Sequence, residues 1–295
     1  MTKTAFIAIV GAPNVGKSSL LNKLLGSKIA IVSSKPQTTR TKIMGVLTRG
    51  ETQLVFTDTP GYHKPHNKLG EKMVEAVGDT VGGVDACLFV VEASGELKKA
   101  EQELLEMFKK QKMPVILAIN KIDTLKDKKE LLSRIAFFSS KYDFEAVVPV
   151  CATSGENTQD LLGELESLAF ESVHFFPDDT LTDQPERVLA SEIIREKALR
   201  LMDKEIPHGI AVSVEKMRER KDKEILDIDA VIYCERESHK GIIIGKGGSM
   251  LKKISTYSRQ DLEKFFGIKV ALHVWVKVKE DWRNREGLIH NFGLD

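Results

Sequence analysis

The segment Gly11-Ala12-Pro13-Asn14-Val15-Gly16-Lys17-Ser18 has the residue types and the spacing, G-x-x-x-x-G-K-S, of a loop that holds phosphate. Its two glycines allow backbone torsions and a close approach to a ligand that a Cβ would block. Main-chain N–H groups in such a loop point inward, the positive end of the following helix adds to them, and the Lys17 ammonium reaches the outer phosphates. The Ser18 hydroxyl is the group that ligates the accompanying magnesium. The apolar run at 5–10 and the segment Ser19-Leu20-Leu21-Asn22-Lys23-Leu24-Leu25 supply the strand and the helix that this chemistry needs on either side. A bound nucleoside triphosphate is the expectation.

Asp58-Thr59-Pro60-Gly61-Tyr62 closes a later apolar run. An aspartate there holds a magnesium-bound water, and the Gly61 N–H meets a γ-phosphate, a contact that vanishes when that phosphate leaves. Gln37-Thr38-Thr39-Arg40 is the expected first switch. A threonine hydroxyl in it completes the magnesium shell only while the triphosphate is present. Thr39 is the expected residue, with Thr38 and Thr41 as open alternatives. Lys17, Thr39 and Gly61 are thus assigned to the reacting phosphate, and Ser18, Thr39 and Asp58 to magnesium.

Asn120-Lys121-Ile122-Asp123 directly follows the apolar run 115–119. Guanine presents two donors on one edge, and the Asp123 carboxylate can accept both. Adenine would leave that charge unpaired and is rejected. Asn120 can bond the other side of the base and tie the loop to the phosphate loop. In Cys151-Ala152 the Ala152 N–H is expected to meet guanine O6. Cys151 stands where serine is commoner and, the contact being a backbone one, is expected to change little. The nucleotides are GTP and GDP.

Tyr62 occupies the position at which many GTPases carry a glutamine that orients the attacking water. Its ring cannot do so, and slow intrinsic hydrolysis follows. In a related class of GTPases an asparagine at the position of Asn14 helps bind a potassium ion, which supplies the positive charge of an arginine finger. Potassium at Asn14 is therefore expected. His63 and His66 read as surface of the second switch.

These motifs need a scaffold. The chain has 295 residues, 42% hydrophobic and 29% charged, a globular balance long enough for two domains. No apolar run approaches the roughly 20 residues that span a bilayer. The chain passes almost at once into its first strand, leaving no room for a leader. Cys87, Cys151 and Cys234 are too dispersed for a disulfide framework or a zinc site. Buried thiols in a cytoplasmic protein are expected. Runs at 5–10, 42–47, 53–58, 86–92, 115–120 and 146–150 alternate with helical patterns, a doubly wound α/β domain whose 42–47 and 53–58 strands pair as an antiparallel edge hairpin. The domain is expected over 1–170, a linker over 171–187, and a second domain over 188–295.

The second domain is expected to hold a charged helix over 187–204, strands over 209–214 and 225–235, helical segments over 246–257 and 259–266, and a strand over 269–278. From Arg236 to Arg285 there are twelve Lys/Arg against five Asp/Glu, +7; against an overall +1, the remainder carries −6. Within that basic stretch an apolar run leads into Ile244-Gly245-Lys246-Gly247-Gly248, and apolar residues continue at helical spacing. This is the loop by which a KH domain clamps about four single-stranded nucleotides. Its glycines admit the phosphates; Lys246, Lys252 and Lys253 supply charge. The order of elements fits an α+β type II KH domain. Trp275, in the apolar strand, is expected in the core. Trp282, beside Arg283, is a candidate for RNA contact, as is Arg283.

From the phosphate loop, through Pro36-Gln37-Thr38-Thr39-Arg40-Thr41, to the Ile244–Gly248 loop, the sequence resembles the Era family of bacterial ribosome-assembly GTPases, over essentially the whole chain. The resemblance implies a monomer that binds the 3′ end of small-subunit ribosomal RNA while the small ribosomal subunit matures. It also implies a cytoplasmic protein with peripheral association at the inner face of the cell membrane. The competing reading is a membrane-surface regulatory GTPase whose basic C-terminal domain reads anionic lipid or protein partners.

Overall fold

Apolar runs without alternation become strands covered on both faces. β1 (Lys3–Val10), β4 (Ala86–Glu92) and β5 (Val115–Asn120) are buried almost throughout. With β2 (Ile43–Arg49), β3 (Thr52–Asp58) and β6 (Ala146–Pro149) they form a sheet in the order β2-β3-β1-β4-β5-β6. All pairs along it are parallel except β2–β3, the edge hairpin, in which Ile43 faces Asp58 and Arg49 faces Thr52. A two-residue strand β7 (Phe170–Glu171), which has no sequence signal, pairs antiparallel with the start of β1. These are features of a computed structural model, which describes every residue except 34, 36, 63, 64, 66, 203–208, 221–223 and 295. His63, His66 and Pro36 therefore lie outside the described residues.

Helices α1 (Lys17–Leu25), α2 (Lys68–Gly82), α3 (Lys99–Gln111), α4 (Lys128–Ser139) and α5 (Thr158–Ser167) follow the strands. Leu20, Leu21, Leu161 and Leu165 pack on one face of the sheet, and Val77, Leu104, Phe108 and Phe138 on the other. The layering is the doubly wound one, and the C-terminal ends of the parallel strands β1, β3, β4, β5 and β6 open into loops at one edge.

The chain divides into two compact units. Residues 171–183, read as linker, belong to the first. There Gln53 accepts the N–H groups of Phe175 and Phe176 and donates to the Phe176 carbonyl, while Thr182 donates to the Met44 carbonyl. The second unit holds 184–295 together with Ile31–Thr38 and Asn67–Leu69. Its elements are α6 (Glu186–Leu201), β8 (Ala211–Glu219), β9 (Ile225–Cys234), α7 (Glu237–Ile244), α8 (Ser249–Phe266), β10 (Lys269–Val278) and α9 (Glu286–Asn291). The sheet order is β10-β9-β8, with β9 parallel to β10 and antiparallel to β8. Ile194, Ile228, Ile232, Ile243, Ile254 and Leu262 form its core.

The apolar run before the glycine loop forms the helix α7, of which Ile243 alone is buried. One expectation for this unit is corrected. The two helical segments expected after the loop are one helix, α8, because nothing near residue 258 breaks the turn and Ser258 is buried within it.

All three cysteines are free and buried. Among the described residues no helix is long and apolar enough to cross a membrane, and no cluster of three or more His, Cys, Asp or Glu stands in metal-holding geometry.

Candidate nucleotide site and nucleic-acid interface

The phosphate loop joins the end of β1 to the start of α1. Gly16 has φ of 101°, and a Cβ on it would lie 2.2 Å from Asn120 Nδ2. Gly61 faces the loop so closely that a Cβ would meet Pro13 Cα at 2.7 Å. The Tyr62 N–H donates to the Gly11 carbonyl at 3.1 Å, tying the segment after Gly61 to the phosphate loop. Tyr62 is half-buried against the core, with its hydroxyl bonded to Glu103. Asn14, with φ of 64°, is exposed at the loop's crest.

Lys17 is buried, and its Nζ donates to the Gly11 and Ala12 carbonyls at 3.1 Å each. Burial pushes its ammonium down to about 8, against the opposing attraction of Asp58. Asp58 is fully buried at the end of β3, and burial pushes its carboxyl up to about 6 against the pull of Lys17. Its Oδ2 accepts from Ser18 at 2.6 Å and from Thr39 at 3.4 Å. Its Oδ1 is buried without a hydrogen-bond partner among the described residues. Two hydroxyls and a carboxylate with an unengaged buried oxygen form an all-oxygen donor set, which suits a hard divalent cation such as magnesium. Thr38 lies outside this set: its hydroxyl donates to the Lys35 carbonyl at 2.6 Å and contacts Ser33 Oγ at 2.9 Å.

At the base end, Asn120 donates from Nδ2 to the Val15 carbonyl at 2.8 Å, tying the end of β5 to the phosphate loop. Its Oδ1 accepts the Ala152 N–H at 3.0 Å. The N–H expected at guanine O6 is therefore bonded to Asn120 in this structure, and meeting the base requires that bond to be shared or exchanged. Asp123 is exposed in a turn of 3₁₀ helix over Ile122–Thr124. Beside the backbone contact expected of this segment there is a side-chain one: the Cys151 Sγ donates to Asp123 Oδ1 at 3.1 Å. Lys121 donates to the Asn14 carbonyl at 2.7 Å and pairs with Glu92, which also holds Lys98 at 2.7 Å. Glu92 was not singled out from sequence; it ends the apolar strand β4, where a carboxylate interrupts six buried residues.

In the second unit α7 ends at Gly245, and Gly245, Gly247 and Gly248 have φ of 74°, 57° and 79°. A Cβ on Gly245 would meet Met250 at 2.8 Å, whereas Gly247 and Gly248 face open space. Ile244 is half-buried beside the loop, and Lys246, Lys252 and Lys253 are exposed on it and on the first turn of α8. The geometry is a bare, positively charged backbone knuckle. Trp282 and Arg283 are not part of it. Trp282 is fully buried, its indole N–H donating to the Gly209 carbonyl at 2.9 Å and its ring edge-on to Phe292. Arg283 is engaged by both oxygens of Glu235, at 3.0 and 2.6 Å. Trp275, expected in the core, is 49% exposed.

A phosphate loop, a guanine-reading turn and a glycine knuckle on a three-stranded α+β unit define a P-loop GTPase that carries a KH domain. A family model described as "50S ribosome-binding GTPase" matches residues 6–121, and one described as "KH domain" matches residues 205–283. GTPase Era of Clostridioides difficile (strain 630) is 51% identical over 295 residues, covering 100% of this chain and 99% of that protein. GTPase Era of Alkaliphilus metalliredigens is 47% identical over 294 residues, covering 99% of each. A crystal structure of Era in complex with MgGDPNP and nucleotides 1506–1542 of 16S ribosomal RNA aligns at a TM-score of 0.96 and 39% identity, over 100% of this chain and 99% of that one. A substituted Aquifex aeolicus Era bound to GDP and aluminium fluoride aligns at 0.96 and 39%, over 99% of each. The chain belongs to the Era family of GTPases.

Proposed function

We propose that this chain is a GTP-controlled switch that binds the 3′ end of small-subunit ribosomal RNA and assists maturation of the small ribosomal subunit. One observation carries the reading. The solved Era that matches over 100% of this chain at a TM-score of 0.96 holds a magnesium-bound GTP analogue and a 16S ribosomal RNA fragment together.

The residue roles rest on the geometry above. Lys17 exchanges its two loop carbonyls for outer phosphate oxygens, and the Gly61 N–H donates to the γ-phosphate. Ser18, Thr39 and Asp58 would hold magnesium, which when bound neutralises charge developing on the phosphate oxygens. Asp123, oriented by Cys151, accepts the two guanine donors, with Asn120, Lys121, Ile122 and Ala152 shaping the base pocket. Tyr62 brings no amide to the attacking water, so unassisted hydrolysis is slow. Asn14, exposed on the loop that meets the phosphates, is the proposed potassium ligand. Gly245, Lys246, Gly247 and Gly248 clamp the RNA backbone, flanked by Ile244, Lys252 and Lys253.

The decisive experiment is binding of the full chain to an oligonucleotide matching the 3′ end of small-subunit ribosomal RNA. A scrambled strand is the control, and GDP and a non-hydrolysable GTP analogue are compared at fixed salt, because affinity here is salt-dependent. Selective binding that differs between nucleotides supports the switch. Equal, salt-sensitive binding to both strands would overturn it and favour a cytoplasmic GTPase recruited peripherally to anionic membrane. In parallel, hydrolysis faster in potassium than in sodium, with the difference lost in Asn14→Ala, tests the cation; equal rates in the two salts end that part of the proposal.

A further inference from the structure

β10 alternates strictly. Val270, Leu272, Val274, Val276 and Val278 join the core of the second unit, while Lys269, His273, Trp275 and Lys277 take the opposite, exposed face. On that face the Trp275 and His273 rings lie with centroids 6.1 Å apart and planes inclined by 31°, a two-ring shelf on one strand. Register fixes the neighbours. His273 is opposite Asp229 and Trp275 opposite Val231 on β9, and beyond them Lys216 and Arg218 of β8 stand opposite Asp229 and Asp227.

On this face the five cations Lys216, Arg218, Arg220, Lys269 and Lys277 outnumber the three carboxylates Glu215, Asp227 and Asp229. Asp227 is gripped by Arg220 through contacts of 2.7 to 3.1 Å, and Glu215 lies 3.3 Å from the Tyr233 hydroxyl. Lys216, Arg218, Lys269 and Lys277 are exposed, and none forms a salt bridge among the described residues. A half-exposed indole with a tilted imidazole beside it and four such cations on the same face matches the requirements of single-stranded nucleic acid. Every base offers a π-face, and every linkage carries a negative charge. An apolar protein partner would leave those cations unmatched.

Position supports the same occupant. β10 is an edge strand, and residues of α7 and α8, which flank the glycine loop, pack on its other face. A strand clamped at the loop has only to cross the β10 edge to reach Trp275. We propose that this face extends the RNA site: Trp275, with His273 beside it, stacks a base of single-stranded RNA lying beyond the nucleotides held at the loop, and Lys216, Arg218, Lys269 and Lys277 neutralise its phosphates. The inference rests on the reading of the Gly245–Gly248 loop as an RNA clamp.

Tryptophan emission tests it directly, because the chain has two tryptophans and Trp282 is buried and hydrogen-bonded. Full-length protein is titrated with single-stranded RNA of about four nucleotides, the length a KH loop holds, and with a strand about three times longer. The longer strand quenches Trp275 and the shorter does not. Trp275→Ala weakens the longer strand about tenfold, as loss of one stacked base does, and leaves the shorter strand and GTP hydrolysis unchanged. Trp275→Phe restores most of the loss. A Trp275→Ala chain that binds the longer strand as the native chain does overturns the proposal, as does quenching by anionic phospholipid vesicles without quenching by RNA. Gly247→Asp separates the underlying reading. Its φ of 57° is open to aspartate and it faces open space, so the fold tolerates the change. Gly247→Asp weakens both strands if the loop is the clamp, and unchanged binding of both overturns the clamp and with it the extension.

Discussion

The hydroxyl oxygens of Ser18 and Thr39 lie 2.8 Å apart, and both reach the same oxygen of Asp58. This triangle favours Thr39 over Thr38 as the proposed switch threonine, because the Thr38 hydroxyl is bonded within its own loop to Lys35 and Ser33. Thr39→Ala is expected to weaken the magnesium complex of a GTP analogue by about tenfold or more, the loss of a bond to a charged group being worth roughly 1.5–3 kcal/mol. GDP binding should change little. Thr38→Ala and Thr41→Ala should bind both nucleotides normally, and titration with fluorescent nucleotides separates the three.

The buried pair of Lys17 and Asp58 sets the pH limits of binding. Burial moves Lys17 to about 8 and Asp58 to about 6, each toward its neutral form. An aspartate whose folded value lies above its unfolded 3.8 binds its proton more tightly when folded. Its contribution to stability is full below that value and is lost as pH rises through 6. Magnesium requires the carboxylate, so its affinity should fall as pH drops below about 6. Phosphate favours the lysine ammonium, so binding takes up a proton and affinity should fall as pH rises above about 8. Calorimetry in buffers of different ionisation heat should record proton uptake near the upper limit, and Lys17→Met should abolish it.

Much of the nucleotide site was legible because it is local. A glycine loop between an apolar strand and a helix, and an Asn-Lys-x-Asp turn ending a buried strand, are read from spacing alone. What was missed depends on partners far along the chain. Cys151 meets Asp123 28 residues away, and Trp282 is buried because its N–H finds the Gly209 carbonyl 73 residues away. Neither pairing leaves a local trace. Trp275 is a different case. It shares the odd parity of Lys269, His273 and Lys277, and period-two alternation, set against the valines at even positions, already assigns it to the polar face.

The Cys151 thiol bonds the carboxylate proposed to read guanine. Cys151→Ala removes the 3.1 Å contact to Asp123 and should weaken GTP and GDP together by a few fold, about 1 kcal/mol. Cys151→Ser should bind at native strength, since a hydroxyl reaches the same oxygen. Asp123→Asn should shift preference toward xanthosine nucleotides whatever residue stands at 151.

Trp282 is a core residue, so its removal should read as instability rather than lost contact with RNA. Trp282→Ala is expected to cost about 3–5 kcal/mol, as truncation of a buried aromatic does. It should also leave the Gly209 carbonyl without its donor. Thermal unfolding of the chain should detect the loss, while RNA affinity of the fraction still folded stays within twofold or so of native.

The segment just before Thr39 is held by a buried charged clasp. Glu196 is fully buried, accepts the Val32 N–H at 2.9 Å and pairs with Arg200 at 2.9 Å. Arg200 donates to the Val32 carbonyl at 3.0 and 2.8 Å, and Arg195, clamped by Glu192, donates to the Thr38 carbonyl. Burying these ions is costly, and the geometry offsets it only while every partner is present. Glu196→Ala should therefore accelerate hydrogen exchange of the Val32 amide, and Glu196→Gln, which keeps an acceptor there, should do so much less. Arg195→Ala loosens the residue next to Thr39. It should reduce the preference for a GTP analogue over GDP by a few fold, about 1 kcal/mol for one hydrogen bond, with GDP affinity unchanged. Equal preference in Arg195→Ala and native protein would mean that Thr39 is positioned by Ser18 and Asp58 alone.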